Sequence, residues 1–205
     1  MRAAVVIDYQ NVHLSGHGQF CPAGVAKHES LVHPLHFANQ VLLARKNAMT
    51  ARGSDPGDVA LGLVDTYRGL PTNKEQPDHY RRSQAQKSEW TRDRRVSVTY
   101  RPLKYYWEDG QRVAREKGVD VLVALAVVRL VQAADYDLVI LAAHDSDLEP
   151  ALEQAVDAEP VKDGRVKLET AGWRNCKRLK ANGSTLWHTF LQGDGFVNSR
   201  DRKAY

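Results

Sequence analysis

Cysteine is scarce in this chain: Cys21 and Cys176 are the only two among 205 residues. That excludes a disulfide framework and the multi-cysteine zinc modules, and two thiols so far apart suit a reducing compartment. No apolar run approaches the ~20 residues a membrane helix needs. There is no Gly-x-x-x-x-Gly-Lys-Ser/Thr, so a nucleotide-hydrolysing P-loop is excluded as a motif. Gly16 and Gly18 neither follow a strand nor open a helix, which argues against a dinucleotide site. Repeats, linkers and low-complexity tracts are also missing. Neither sign of charge dominates: 29 Lys and Arg stand against 25 Asp and Glu, for a net charge of +4. That mild excess suits an anionic partner without requiring one. A strand-like run starts within two residues of Met1, so no secretory segment is expected and a cytoplasmic location is.

What is present is ordinary globular material. Hydrophobic residues make up 42% and charged residues 26%, enough for one unit over residues 1–205 with a two-sided core. Residues 3–8 read as a buried strand. Asn11 to about His33 reads as a loop rich in Gly and His. Pro34 suits a first helical turn, and Leu35, Phe37, Ala38, Val41, Leu42 and Ala44 carry helical periodicity to about Arg52. Val59 to Tyr67 is a second strand, Thr72 to Arg95 a solvated helix, and Val96 to Tyr100 a third strand. Asp109-Gly110 between Lys104–Trp107 and Gln111–Val113 signals a hairpin excursion near 104–115. A helix spans Val119 to Ala134, a strand Tyr136 to Ala142, a helix Asp147 to Val156 and a strand Val166 to Thr170. A C-terminal extension near 172–205 is mixed in character. This alternation predicts an α/β fold, a three-layer α/β/α sandwich with a mainly parallel sheet.

Four aspartates fall where such a sheet ends its strands or starts the helices beside them. Asp8 closes the run Ala3 to Ile7. Asp145 and Asp147 follow Leu138 to Leu141. Asp120 opens the stretch Val121 to Val131. In open α/β sheets the functional crevice lies at the strands' carboxyl ends. Carboxylates gathered there repel one another unless a cation compensates, so the pattern points to a hard divalent metal and hence to phosphate chemistry. Taken singly, each aspartate has a plainer reading. Asp8 and the Asp145/Asp147 pair can cap turns, and Asp120 can favour a helix N-terminus.

Ile7-Asp8-Tyr9-Gln10-Asn11, Glu116-Lys117-Gly118-Val119-Asp120 and His144-Asp145-Ser146-Asp147 resemble the three signature blocks of NYN domains, relatives of PIN-domain ribonucleases. The resemblance runs from Val5 to about Glu169, and the closing segment from Leu186 to Tyr205 is similar to that of some bacterial members. It implies a PIN-like fold and an endoribonuclease dependent on Mg²⁺ or Mn²⁺. It also implies metal-site roles for Asp8, Asp120, Asp145 and Asp147, with Asn11 assisting. On this reading a metal-activated water attacks the RNA phosphodiester, with Asp147 accepting its proton or holding a second ion through water. Many relatives carry a further Asp six residues after the position matching Asp120, where this chain has Ala126. His144 stands where small or hydroxyl residues are common; it can contact phosphate or fill the loop.

The expected partner is RNA, single-stranded for preference. Arg81, Arg82, Arg92, Arg94 and Arg95 cluster with Lys87 against Glu89 and Asp93, and Lys117 adjoins the second acidic block. Such cations track a phosphate backbone, while Trp90, Tyr100, Tyr105, Tyr106 and Trp107 offer faces for stacking or for the core. His13, His17 and Cys21, four apart, invite a zinc reading but lack a fourth ligand at recognisable spacing. Two alternatives stand beside the nuclease. One is an RNA-binding NYN module with weak or lost catalysis, which Ala126 favours. The other is a haloacid dehalogenase-type phosphatase, which wants a second Asp where Gln10 stands.

Overall fold

A computed structural model describes all of residues 1–205. Its centre is a six-stranded sheet built from β1 (Arg2–Asp8), β2 (Ala60–Leu70), β3 (Val96–Pro102), β6 (Leu138–Ala142), β7 (Lys167–Trp173) and β8 (Trp187–Leu191). The spatial order is β3-β2-β1-β6-β7-β8, and every neighbouring pair is parallel. The helices are α1 (Tyr9–Phe20), α2 (Pro34–Ala51), α3 (Pro77–Trp90), α4 (Val119–Ala133), α5 (Glu149–Val156), α6 (Glu159–Lys162) and α7 (Gly193–Ser199). A separate antiparallel hairpin, β4 (Lys104–Glu108) and β5 (Gln111–Arg115), stands off the sheet.

Strand alternation divides the core between two faces. Ala3, Val5 and Ile7 of β1 pack into one cluster with Phe37, Val41, Trp90 and Trp173. Ala4 and Val6 pack into the other with Val123, Val127, Leu148 and Leu152. Parallel strands buried on both faces are continuous apolar runs for this reason. The chain is therefore an α/β protein with a six-stranded parallel sheet flanked by helices. In the hairpin, Asp109 and Gly110 both take positive φ, 48° and 74°, as a two-residue turn matched to strand twist requires.

Two segments depart from the sequence expectation. Residues 11–20, expected as loop, belong to α1. The Asp8 side chain accepts the Asn11 amide at 3.3 Å and so caps the helix. Gly16, a poor helix former, is there for packing: a Cβ would lie 2.9 Å from the Trp173 indole nitrogen and 3.1 Å from the Phe196 ring. The Trp173 Nε1–H in turn donates to the Val12 carbonyl at 2.7 Å. The second departure is at the C-terminus, where β8 extends the sheet beyond β7 and α7 packs behind it. In β8 only Thr189 and Leu191 are fully buried, so its apolar pattern is too thin to stand out. The other expected elements are found in place, with α3 shorter by five residues at each end than expected, and the short α6 is an addition.

Candidate functional site

From β1 the chain moves outward to β2 and β3, then returns to lay β6 against the opposite edge of β1 and continues to β7 and β8. The direction of winding reverses between β1 and β6. In open α/β sheets a crevice opens at that reversal, beyond the strands' carboxyl ends. Asp8 is the last residue of β1, and Asp145 lies just beyond β6. Asp120 is in the first turn of α4, reached from the hairpin through Glu116, Lys117 and Gly118. Asp8, Glu116, Lys117, Asp120 and Asp145 together line one cleft of about 350 Å³.

The cleft's carboxylates have no direct ionic partner, although Lys117 shares their lining and Arg68 favours the charged form of Glu116. None of its four carboxylates takes part in an ion pair. Asp8 is 6% exposed. Burial pushes its carboxyl up to about 7, against the Asn11 amide hydrogen bond, and the charges of Glu116, Asp145 and Asp120 push the same way. Burial also raises Glu116, with Asp120 adding to it, while the Gly69 N–H and Arg68 oppose. The Gly69 N–H donates to Glu116 Oε1, and the close approach leaves no room for a side chain at residue 69. Glu116 is the site residue that the sequence reading missed. It stood inside a recognised motif block, but its burial against Gly69 has no sequence signal.

Asn11 braces the site. Its Oδ1 accepts the His144 amide at 2.7 Å, and its own N–H reaches Asp8 Oδ1. One residue thus ties the end of β1 to the loop that carries Asp145. Asp145 Oδ1 accepts the Asp147 amide at 3.0 Å, but Asp147 itself is exposed and outside the cleft lining. His144 fills the loop. Its Nδ1–H faces the Lys177 carbonyl at 3.1 Å and its Nε2 accepts the Trp173 amide at 3.2 Å. Burial lowers its pKa, and a ring that accepts at Nε2 while Nδ1 faces a carbonyl is a neutral one. Ala126 sits in the apolar core beneath α4, where an Asp would be buried away from the cleft.

No set of three or more His, Cys, Asp or Glu side chains converges closely enough to form a ready-made metal cage. The donor chemistry nevertheless fits a hard cation that keeps much of its own water, as Mg²⁺ does when one or two carboxylates hold it. Asp8, Asp120 and Asp145 are the residues able to hold it, with Glu116 beside them. His13, His17 and Cys21 make no zinc site. His13 Nε2 is 3.0 Å from the Lys27 carbonyl and His17 Nδ1 is 2.8 Å from Ser30 Oγ; both stitch α1 to the segment that follows.

No protein-family model matches the chain, and no curated protein does. Among solved structures, it is similar to a crystal structure of a protein of unknown function, VPA0982 from Vibrio parahaemolyticus. The TM-score is 0.50 and the sequence identity 16%, over 93% of this chain and 91% of that one. At that identity the likeness bears on the fold alone.

The expected RNA-contacting cations divide between the two ends of the sheet. Arg81 and Arg82 lie near the start of α3, on the cleft side. Arg92, Arg94 and Arg95 lie in the turn that leads into the first residue of β3, at the opposite end. All strands of a parallel sheet begin at one end, so these three stand away from the carboxylates. Arg92 and Arg95 are also ion-paired, to Glu89 at 3.0 Å and Asp93 at 2.8 Å. Arg81 pairs with Asp78. Arg82 and Lys117 carry no such partner.

Proposed function

We propose that this chain is a metal-dependent endoribonuclease that hydrolyses RNA phosphodiester bonds, with Mg²⁺ or Mn²⁺ held at Asp8, Asp120 and Asp145. The carrying observation is a cleft of four carboxylates, none ion-paired, at the point where the sheet reverses its winding. The motif blocks that resemble NYN domains converge on the same residues. A divalent ion bound there supplies Lewis-acid chemistry, neutralising the scissile phosphate and acidifying water.

The chain's own groups do the rest. Asp8, held near neutrality by burial and the neighbouring carboxylates, would ionise on holding a cation. Asn11 holds Asp8 and the Asp145 loop in register through its two hydrogen bonds. Glu116 has one oxygen fixed by the Gly69 amide and a raised pKa, and its other oxygen is suited to take the proton of the attacking water. Asp147, exposed outside the lining, is less suited to that step. Lys117 at the rim offers a cation to the incoming phosphate.

The test is cleavage of an unstructured RNA oligomer with Mg²⁺ or Mn²⁺. Asp8→Asn and Asp145→Asn are each expected to abolish metal-dependent cleavage while circular dichroism stays unchanged. Wild-type rates in either variant, with contaminating nuclease excluded, overturn the assignment. A second reading, an RNA-binding module with lost catalysis, draws on the lack of three converging donors and on Ala126. A wild type that binds the oligomer but never cleaves it under either metal decides for that reading.

A further inference from the structure

Beside the acidic cleft lies a second groove, of about 340 Å³, with no acidic residue in its lining. Its cations are Lys27, Arg68 and Arg82, joined by His28 and His79, and none of the three forms an ion pair. Arg68 is the informative one. It is half-buried on β2, its guanidinium carbon 4.6 Å from the centre of the Tyr9 ring, with the rings of Trp90 and Tyr100 at 5.8 and 6.0 Å. Its Nη1–H donates to Gln86 Oε1 at 2.7 Å. This half-buried guanidinium, oriented by a neutral amide and stacked on aromatics, keeps its remaining donors free and open to the groove. Such a group costs desolvation that an incoming anion offsets.

The two cavities share a wall. Tyr9 of the groove follows Asp8 of the cleft, and Gly69 of the groove donates to Glu116 of the cleft. An anion seated on Arg68 therefore lies beside whatever bond the carboxylates address. We propose that the groove is a backbone-phosphate subsite for single-stranded RNA, with Arg68 at its centre and Lys27 and Arg82 on its rim. The choice of RNA as the anion rests on the ribonuclease reading; the anion site itself rests on the groove.

Binding without catalysis separates the two. The probe is a fluorescent single-stranded oligoribonucleotide, titrated by anisotropy in EDTA so that no metal-dependent step intervenes. Arg68→Gln and Lys27→Gln are each expected to weaken binding about tenfold. Each should also flatten the plot of log affinity against log salt by about 0.7, the increment for one phosphate contact on a single strand. Lys27 is exposed, so its substitution leaves packing alone and covers the case in which Arg68→Gln fails to fold. Lys167→Gln, at the far end of the sheet, is the control and keeps wild-type affinity and slope. Unchanged affinity and slope in Lys27→Gln, or in a folded Arg68→Gln, overturn the subsite, whatever the cleavage assay shows. Groove-dependent binding by a wild type that never cleaves RNA leaves the subsite standing and removes the nuclease.

Discussion

Asp8 holds a position that favours its neutral form. It is buried, it faces three other carboxylates, and only one amide hydrogen bond opposes them. Its folded-state pKa of about 7 lies above the ordinary aspartate value of about 3.9. Between those values the folded chain keeps a proton that the unfolded chain has released. This contribution to stability is therefore fully present below about pH 4, falls as pH rises toward 7, and levels off above it. The loss is on the order of 4 kcal/mol at most. His13, buried, and His188, half-buried, are lowered to about 4 and act in the opposite sense over much of the same range, so wild type must be compared with Asp8→Asn. In EDTA the variant is expected to be the more stable protein at pH 8, with the difference shrinking toward pH 4. Paired urea melts check this; an Asp8→Asn protein less stable at pH 8 contradicts a cleft whose carboxylates have no direct ionic partner. The place of Asp8 at a strand end was legible in the sequence because it closes an apolar run. Its pKa was not, since Glu116 and Asp120 reach it only through the fold.

Elements were legible where one physical signal dominated. The two-faced burial of β1 and β6 appears as unbroken apolar runs, and Pro34 and Asp109-Gly110 mark their helix start and turn directly. α1 was hidden because its glycines and histidines look like loop, although Gly16 is a packing contact with Trp173 and His13 and His17 are tethers. A further tie between elements has no sequence signature. Arg45 of α2 donates from Nε and Nη2 to the two carboxylate oxygens of Glu169 on β7, at 2.7 and 2.8 Å, and from Nη1 to the Pro56 carbonyl. Both side chains are at most 5% exposed. Removing one member strands a buried charge, which costs about 3–5 kcal/mol. Glu169→Ala is expected to lose that much in a denaturant melt. The double replacement Arg45→Met with Glu169→Leu should recover most of it, because a packed apolar pair needs no desolvation. A Glu169→Ala protein within about 1 kcal/mol of wild type shows that water reaches the guanidinium.

Across the whole molecule, charge is sorted by place more than by amount. A net charge of +4 is modest, yet the carboxylates gather in one cleft and unpaired cations line the groove beside it. The acidic half of this pattern was legible in the sequence, because parallel-sheet topology sends every strand end to one side. The division of the basic half was not legible: Arg92, Arg94 and Arg95 are near Arg82 in sequence, but α3 carries them to the other end of the sheet. On the proposed function, the folded state binds a cation better than the unfolded chain, where the four carboxylates drift apart. A ligand bound only by the folded state stabilises it by RT ln(1 + [L]/Kd), about 2.7 kcal/mol at a hundredfold excess over Kd. Mg²⁺ or Mn²⁺ should thus raise the melting temperature of the wild type, and NaCl at matched ionic strength should not. Asp145→Asn should lose most of the rise, because it removes one of the three carboxylates proposed to hold the ion; Lys167→Gln, remote from the cleft, should keep it. This readout needs neither RNA nor turnover. A wild type whose melting temperature ignores both metals at millimolar concentration holds no ion among these carboxylates, and cleavage by this cleft loses its basis.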